Sequence, residues 1–299
     1  VTARHGGLLA LLALLWGASY LLIKYALEGF SAVGIVFWRT LLAAAVLYVI
    51  IRVQGGEARA ALSDLRQRPW HAVGFGFIQV AAPFTLISLG EHHVPSGLTA
   101  VLIAPSPLFV AAFAPLLMHS ERIGGRQWIG LIVGLVGVAT LVGVETIDKT
   151  DQFLGALAIL LASACYGLGS IVVKRWYADV PPVTASFLSI GTAAVMTLPF
   201  AAATTAGHHP GLRAILAVVG LGVGGTALAF IIYYRLIGEL GAGRATLVSY
   251  LIPPVALAYG AVLLDERVTV AAVGGLTLIL VGVAVAGRRR AQPPPVETA

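Results

Sequence analysis

SERIGGRQWIGLIVGLVGV (Ser120–Val138) and DERVTVAAVGGLTLILVGV (Asp265–Val283) are two stretches of one chain, 145 residues apart. Laid over one another they match Glu121 to Glu266, Gly130 to Gly275 and Gly137 to Gly282, and each sets a Glu-Arg pair between two apolar runs. Nearer the N-terminus the match resumes at an offset of 150. LLWGASYLLIK (Leu14–Lys24) resembles ACYGLGSIVVK (Ala164–Lys174), and SAVGIVF (Ser31–Phe37) lies over PPVTASF (Pro181–Phe187). Three matched blocks in the same order make the chain two copies of one unit.

What that unit is follows from composition. Of the 299 residues 59% are hydrophobic and 11% charged, against roughly a quarter charged in soluble domains. A hydrocarbon core about 30 Å thick needs roughly 20 apolar residues per helix. Apolar runs of that length lie near 7–27, 33–53, 70–90, 96–118, 127–144, 153–173, 183–203, 214–235, 243–264 and 269–287. The expected fold is therefore an all-α membrane protein of ten transmembrane helices, in two five-helix repeats at 7–145 and 152–287. Strand alternation is missing, which argues against a barrel. Val53–Trp70 reads as a basic amphipathic turn on the membrane surface, and Arg288–Ala299 as a disordered, Pro-rich cytoplasmic tail. The first run is long for a signal core, and its mid-chain copy cannot be one, so it reads as a retained span. The net charge of +6 sits at span ends rather than in a patch, which speaks against a nucleic-acid partner. Cys165 is the one cysteine and forms no internal disulfide.

Five helices per copy is an odd number, so the second copy enters the membrane from the opposite side. Loop charge sets the orientation. With the N-terminus cytoplasmic, the inner segments hold Arg4, Arg52, Arg59, Arg66, Arg68, Arg122, Arg126, Lys174, Arg175, Arg235, Arg244 and Arg288 to Arg290, fourteen in all. The outer segments hold Lys149, Arg213 and Arg267. Both termini are expected inside, and the two Glu-Arg pairs on opposite faces. Inverted repeats suit a carrier, because two similar packings can interconvert to face alternate sides.

The polar residues inside spans are few. Arg39 lies about two turns into the second span, where a charge costs on the order of 3 kcal/mol at the centre. It has either a structural partner or a carboxylate substrate. Gln79 is the one amide well inside a span, one turn before Pro83, and either bonds another helix or lines a wet cavity. Trp16 and Tyr20, with Tyr166 in the matched span, are several residues deep and suit the wall of a cavity. Ser249 and Tyr250 precede IPP (Ile252–Pro254) by a turn, the counterpart of APSP (Ala104–Pro107), where proline frees backbone groups. Lys24 either snorkels or pairs with Glu28 at i+4. No GxSxG, HExxH or metal-spaced Cys/His cluster is present, so neither a catalytic site, a metal nor a cofactor is expected. His92-His93 and His208-His209 read as loop histidines. The Gly-rich runs read as internal helix packing rather than a dimer face, and the chain as a monomer. Glu91 and Glu239 fall at span ends and His71 beside the surface, so the simplest carrier is a facilitator driven by its substrate's own gradient.

These residues resemble the EamA-type transporters of the drug/metabolite transporter superfamily. That family has Trp-Gly opening the first helix, Arg in the second, Pro in the fourth, and Glu closing it before a Gly-rich fifth. The counterparts here are Trp16-Gly17, Arg39, Pro105 or Pro107, Glu121, and Gly130–Gly137. Ser120 and Asp265 depart from the family's Gly before the Glu, Tyr166 replaces a Trp, and Ser189 falls opposite Arg39. The resemblance implies a multi-pass protein of the bacterial inner membrane that exports small metabolites by alternating access. Within the family the YddG-type exporters of aromatic and other amino acids are nearest. The expected substrate-binding residues are Trp16, Tyr20, Arg39, Gln79, Tyr166, Ser249 and Tyr250. The alternatives are a broad drug or nucleoside exporter, a phosphorylated-sugar carrier that would need more basic residues, and a receptor or scaffold that moves nothing.

Overall fold

The computed structural model describes residues 3–53, 68–117, 125–146, 149–177, 180–204, 207–240 and 248–287. Among these every regular element is helical. In lipid each backbone N–H and C=O must be satisfied within its own segment, and uninterrupted apolar runs can do so only as helices. They are α1 (Ala3–Leu27), α2 (Ala32–Val53), α3 (Pro69–Gly76, Phe77–Ala81 and Ala82–Gly90), α4 (Ser96–Ile103 and Ser106–Leu117) and α5 (Gly125–Thr146). There follow α6 (Thr150–Trp176), α7 (Pro182–Thr204), α8 (Leu212–Val219, Gly220–Leu228 and Ala229–Leu240), α9 (Val248–Leu263) and α10 (Val270–Gly287). Eight of these are long and apolar enough to cross a membrane, and α9 and α10 are shorter apolar helices. Most of the Val53–Trp70 segment, Glu121-Arg122 and the tail from Arg288 lie outside the described residues.

Several helices outrun their apolar cores. α1 begins at Ala3, α6 at Thr150 and α8 runs on to Leu240. Helical hydrogen bonding continues past the hydrocarbon, and Asp151 in the first turn of α6 favours that end's dipole. Large apolar side chains face outward: on α5, Ile129, Ile132, Leu135 and Val136 are all about half exposed, as lipid-facing residues are.

Helix contacts repeat with a shift of five. α1 packs on α9 and α6 on α4; α2 packs on α8 and α7 on α3; α1 meets α8 and α6 meets α3. α2 with α7 and α5 with α10 are the pairs that map onto themselves. The α5–α10 contact is glycine on glycine. A Cβ added at Gly282 would lie 2.5 Å from Gly134 N and 2.6 Å from Gly130 O. The Gly220–Gly225 run is used in the same way, since Gly222 meets Leu42 and the carbonyl of Arg39, and Gly225 meets Ser19.

The ends of the bundle are tied by a few polar contacts. At the Lys24 end, Tyr25 OH donates to Leu263 O (3.3 Å) and Glu28 pairs with Arg213 (3.3 Å). At the His5 end, Arg175 Nη1 donates to Leu117 O (3.2 Å) and His5 Nε2 lies 3.0 Å from Glu239. The Tyr25–Leu263 and Arg175–Leu117 contacts lie in corresponding places, Tyr25 and Arg175 at the repeat offset of 150 and Leu117 and Leu263 within one residue of the offset of 145. Glu28 is thus taken by Arg213 and not by Lys24, whose Nζ donates instead to Glu91 O.

Candidate functional site: a buried arginine between two bent helices

Two helices lose their regular pitch, in matching places. In α3 Ala82 N–H bonds to Phe77 O, five residues back, and Pro83 has no N–H to offer Gln79 O. In α8 Ala229 N–H bonds to Gly224 O over a run rich in glycine. Such π-helical turns collect at functional sites. Here the first carries Gln79 and the second Thr226.

Thr226 holds Arg39. Arg39 Nε donates to Thr226 Oγ1 at 2.7 Å, and that hydroxyl donates to Leu221 O at 2.8 Å. The guanidinium lies over the Phe84 ring, Cζ 3.9 Å from its centroid. Arg39 is 6% exposed, and its two Nη groups make no hydrogen bond to a described residue. Tyr20, Tyr166 and Glu91 stand close enough to interact with it electrostatically. Tyr20 and Tyr166 pack against one apolar cluster that includes Ile23, Ile35, Ile87 and Ala162. The structure thus brings together Arg39, Tyr20 and Tyr166 of the residues expected from sequence.

Gln79 is adjacent to α6, where a Cβ added at Gly169 would strike its amide oxygen. That oxygen is buried and has no hydrogen-bond partner among the described residues. Buried acceptors almost always have a donor, which sets Gln79 apart among the described residues of this region. Trp16 stands in a separate aromatic group, 5.2 Å from the Tyr233 ring and 6.2 Å from that of Phe230. Tyr250 packs on a third cluster, with Leu98, Leu102 and Leu276, and Ser249 beside it is half-buried. No described contact joins Trp16, Gln79 and Tyr250.

The proline-freed backbone is mostly occupied. α4 breaks at Ala104-Pro105, but Val101 O accepts from Ala104 N (3.2 Å), and Ile103 O, left free by Pro107, accepts from Ser163 Oγ (3.0 Å). The expected opening of α4 carbonyls toward a ligand is closed by a serine of α6. α9 does not break at Pro253-Pro254. A cavity of about 430 Å³ lies elsewhere, between α2 and the start of α8, walled by Phe30, Trp38, Leu42, Pro210 and Ile215.

The Asp265-Glu266-Arg267 turn has its own role. Glu266 accepts from Ser96 N (2.7 Å), Ser96 Oγ (3.0 Å) and Gly97 N (3.0 Å), and so caps the N-terminus of α4 across the bundle. Sequence reasoning read this glutamate as punctuation between spans and did not see the cap. It also missed Thr226, Phe84 and the burial of Glu91. The one available signal was a second Gly-Glu, Gly90-Glu91 and Gly238-Glu239, closing the third and eighth spans.

Residues 5–143 and 153–288 each match the EamA-like transporter family. The chain belongs to that family. It is 28% identical over 259 residues to an Escherichia coli protein named as the uncharacterized inner membrane transporter YedA, covering 85% of this chain and 81% of that one. It is 27% identical to a probable amino-acid metabolite efflux pump of Salmonella typhimurium, over 94% of each chain. A crystal structure superimposes with a TM-score of 0.66 at 22% identity, covering 96% of this chain and 98% of that one, which shows the fold alone. As an EamA-family transporter it is a multi-pass membrane protein, and the YedA likeness supports the inner membrane.

Proposed function

We propose that this transporter exports amino acids, aromatic and other apolar ones in the manner of the YddG type, by alternating access around the Arg39 group. The observation that carries the reading is the guanidinium itself. A charge so deep costs on the order of 3 kcal/mol. Thr226 and Phe84 hold its Nε and its face and leave both Nη groups for a planar anion. A carboxylate fits that fork in bidentate fashion, with the Tyr20 and Tyr166 hydroxyls beside it. The Gln79 oxygen, without a donor among the described residues, suits the ammonium, whereas Trp16, Ser249 and Tyr250 stand in other clusters and would line the substrate's path rather than the arginine group.

The paired helix contacts, the π-helical turns in α3 and α8, and the Tyr25–Leu263 and Arg175–Leu117 counterparts support an inverted repeat of five helices. Interchange of the two packings would carry the site from the His5 end, inside by the positive-charge count, to the Lys24 end. The named efflux pump supports the direction and the substrate class.

Proteoliposomes loaded with labelled phenylalanine, leucine, a nucleoside and a cationic drug test this. Efflux of the amino acids alone is expected. Arg39→Lys keeps the charge but loses the fork, and is expected to lower amino-acid flux about tenfold or more, the loss of roughly 1.4 kcal/mol. Gln79→Leu should lower it with the protein still folded in the membrane. Amino-acid flux equal to wild type in both variants would remove the site, and export of the drug in preference to the amino acids would remove the substrate.

A further inference from the structure

At the Lys24 end the chain encloses one carboxylate. Glu91 follows the last turn of α3, where Gly90 packs so closely on α6 that an added Cβ would lie 2.7 Å from Gly155 O. Glu91 is 0% exposed, and neither carboxylate oxygen has a hydrogen-bond partner among the described residues. Ionisable groups on three elements lie within electrostatic reach of it: Lys24 and Tyr20 of α1, Arg39 of α2, and Glu266 of the turn before α10. α6 meets this turn with Gly155 and Ile159, and His92, next in the chain, stands near Lys24. None of them donates to the carboxylate. Lys24 Nζ is engaged by the backbone carbonyl of Glu91 itself, Arg39 Nε by Thr226, and Glu266 is an acceptor on Ser96 and Gly97. A carboxylate anion shut away from water without a donor is strongly disfavoured, and the neutral acid avoids most of that cost.

The chain contains its own comparison. Gly238-Glu239 lies near the end of α8 as Gly90-Glu91 ends α3, but at the other end of α1. Glu239 has Arg235 Nε at 2.8 Å, His5 Nε2 at 3.0 Å and Arg4 Nη2 at 3.6 Å, and is open to solvent. Arg235 first, then His5, hold its carboxyl below the usual range. Corresponding glutamates therefore sit in opposite settings, one exposed and held by cations, the other buried with no donor among the described residues.

We propose that Glu91 is a proton-binding site and that export by this chain is coupled to inward proton movement through it, a proposal that rests on the transporter reading above. When the Lys24 end opens, water reaches the carboxylate, which takes a proton from the phase on that side. Closure encloses the neutral acid. When the His5 end opens, the proton leaves to water in the central space beside Tyr20 and Arg39. With both ends closed the site holds one proton more than the ionised carboxylate of the open Lys24 end, so acid on that side favours closure, and opening of the His5 end then releases the proton. This departs from the simple facilitator expected from the sequence, in which Glu91 and His71 were the residues to turn to if transport followed a pH gradient.

Labelled phenylalanine is loaded into proteoliposomes of the full chain and its steady-state distribution read against an imposed pH gradient. One proton per substrate predicts a change of about tenfold in that ratio per pH unit, abolished by a protonophore and absent in Glu91→Gln, with no response to a sodium gradient. A measurement independent of substrate is the infrared difference spectrum of purified protein between acidic and alkaline buffer. The wild type should show a protonated-carboxyl band that Glu91→Gln lacks. A band that titrates and disappears in the variant, with no amino acid moved, would keep the proton site and overturn the transport reading. Phenylalanine flux that ignores the pH gradient in the wild type, with no such band, would overturn the proton site and keep the transport reading. A pH-driven ratio that persists in Glu91→Gln, or one that follows sodium, would also overturn it.

Discussion

Replacing Glu266 by alanine should destabilise the protein more than any other single change among its loop charges. Three donors converge on this carboxylate, two of them the first backbone N–H groups of α4 and the third the Ser96 hydroxyl. Those N–H groups have no partner within their own helix, so truncation leaves them unsatisfied in a half-buried place. Loss of a helix cap costs about 0.5–2 kcal/mol, and loss of a negative charge at a helix N-terminus about 0.3–1 kcal/mol. Together these come to roughly 2 kcal/mol. In a chain of this size each kcal/mol moves Tm by about 2–4 °C, so Glu266→Ala should melt roughly 4–8 °C below wild type. Glu266→Gln keeps one carbonyl oxygen for Ser96 N but loses the charge, and should fall about half as far. Exposed Arg267, its neighbour, supplies the control in Arg267→Ala. The assay is thermal unfolding in detergent, at one scan rate because such unfolding is seldom reversible. If Glu266→Ala and Glu266→Gln melted within a degree of wild type, or if Arg267→Ala fell as far, the cap would not be what holds the turn to α4.

Gly282→Val places a branched side chain against the backbone of Gly130 and Gly134, and should cost about 1–3 kcal/mol or more, read as a lowered Tm, whereas Gly274→Ala, which would meet nothing within 4 Å, should be neutral. Single cysteines at Ser120 and Asp265, with Cys165 replaced, should label with an impermeant reagent from opposite faces of intact cells. Labelling of both from one face would remove the inverted repeat. The Glu239 cluster should loosen in acid: its carboxyl is held low by Arg235 and His5, so its tie to α1 is complete above the ordinary carboxylate range and is lost as pH falls through the depressed value. Hydrogen exchange around His5 should therefore speed up on acidification in the wild type and be already fast, and flat with pH, in Glu239→Gln.

The sequence by itself located the apolar helices and suggested how they repeat. Charge is so scarce, and apolar runs so close to one membrane thickness, that hydropathy alone locates all but the helix ends, and the Glu-Arg and glycine matches pair Gly130–Gly137 with Gly275–Gly282 before any coordinate is known. It also marked Arg39 and Gln79, because a polar side chain inside an apolar run is conspicuous in one dimension. Only the tertiary structure decided what those residues meet. Thr226 lies 187 positions from Arg39 and Glu266 lies 170 from Ser96, and nothing local in an apolar chain encodes such pairings. The π-helical turns were hidden for a related reason: they depend on which carbonyls a proline or a glycine-packed neighbour leaves free, as Pro83 does for Gln79. Glu91 is the sharpest case. In sequence it is a charged residue after a span, like Glu239, and only the packing of α1, α2 and α6 around it leaves one of two matched glutamates fully buried.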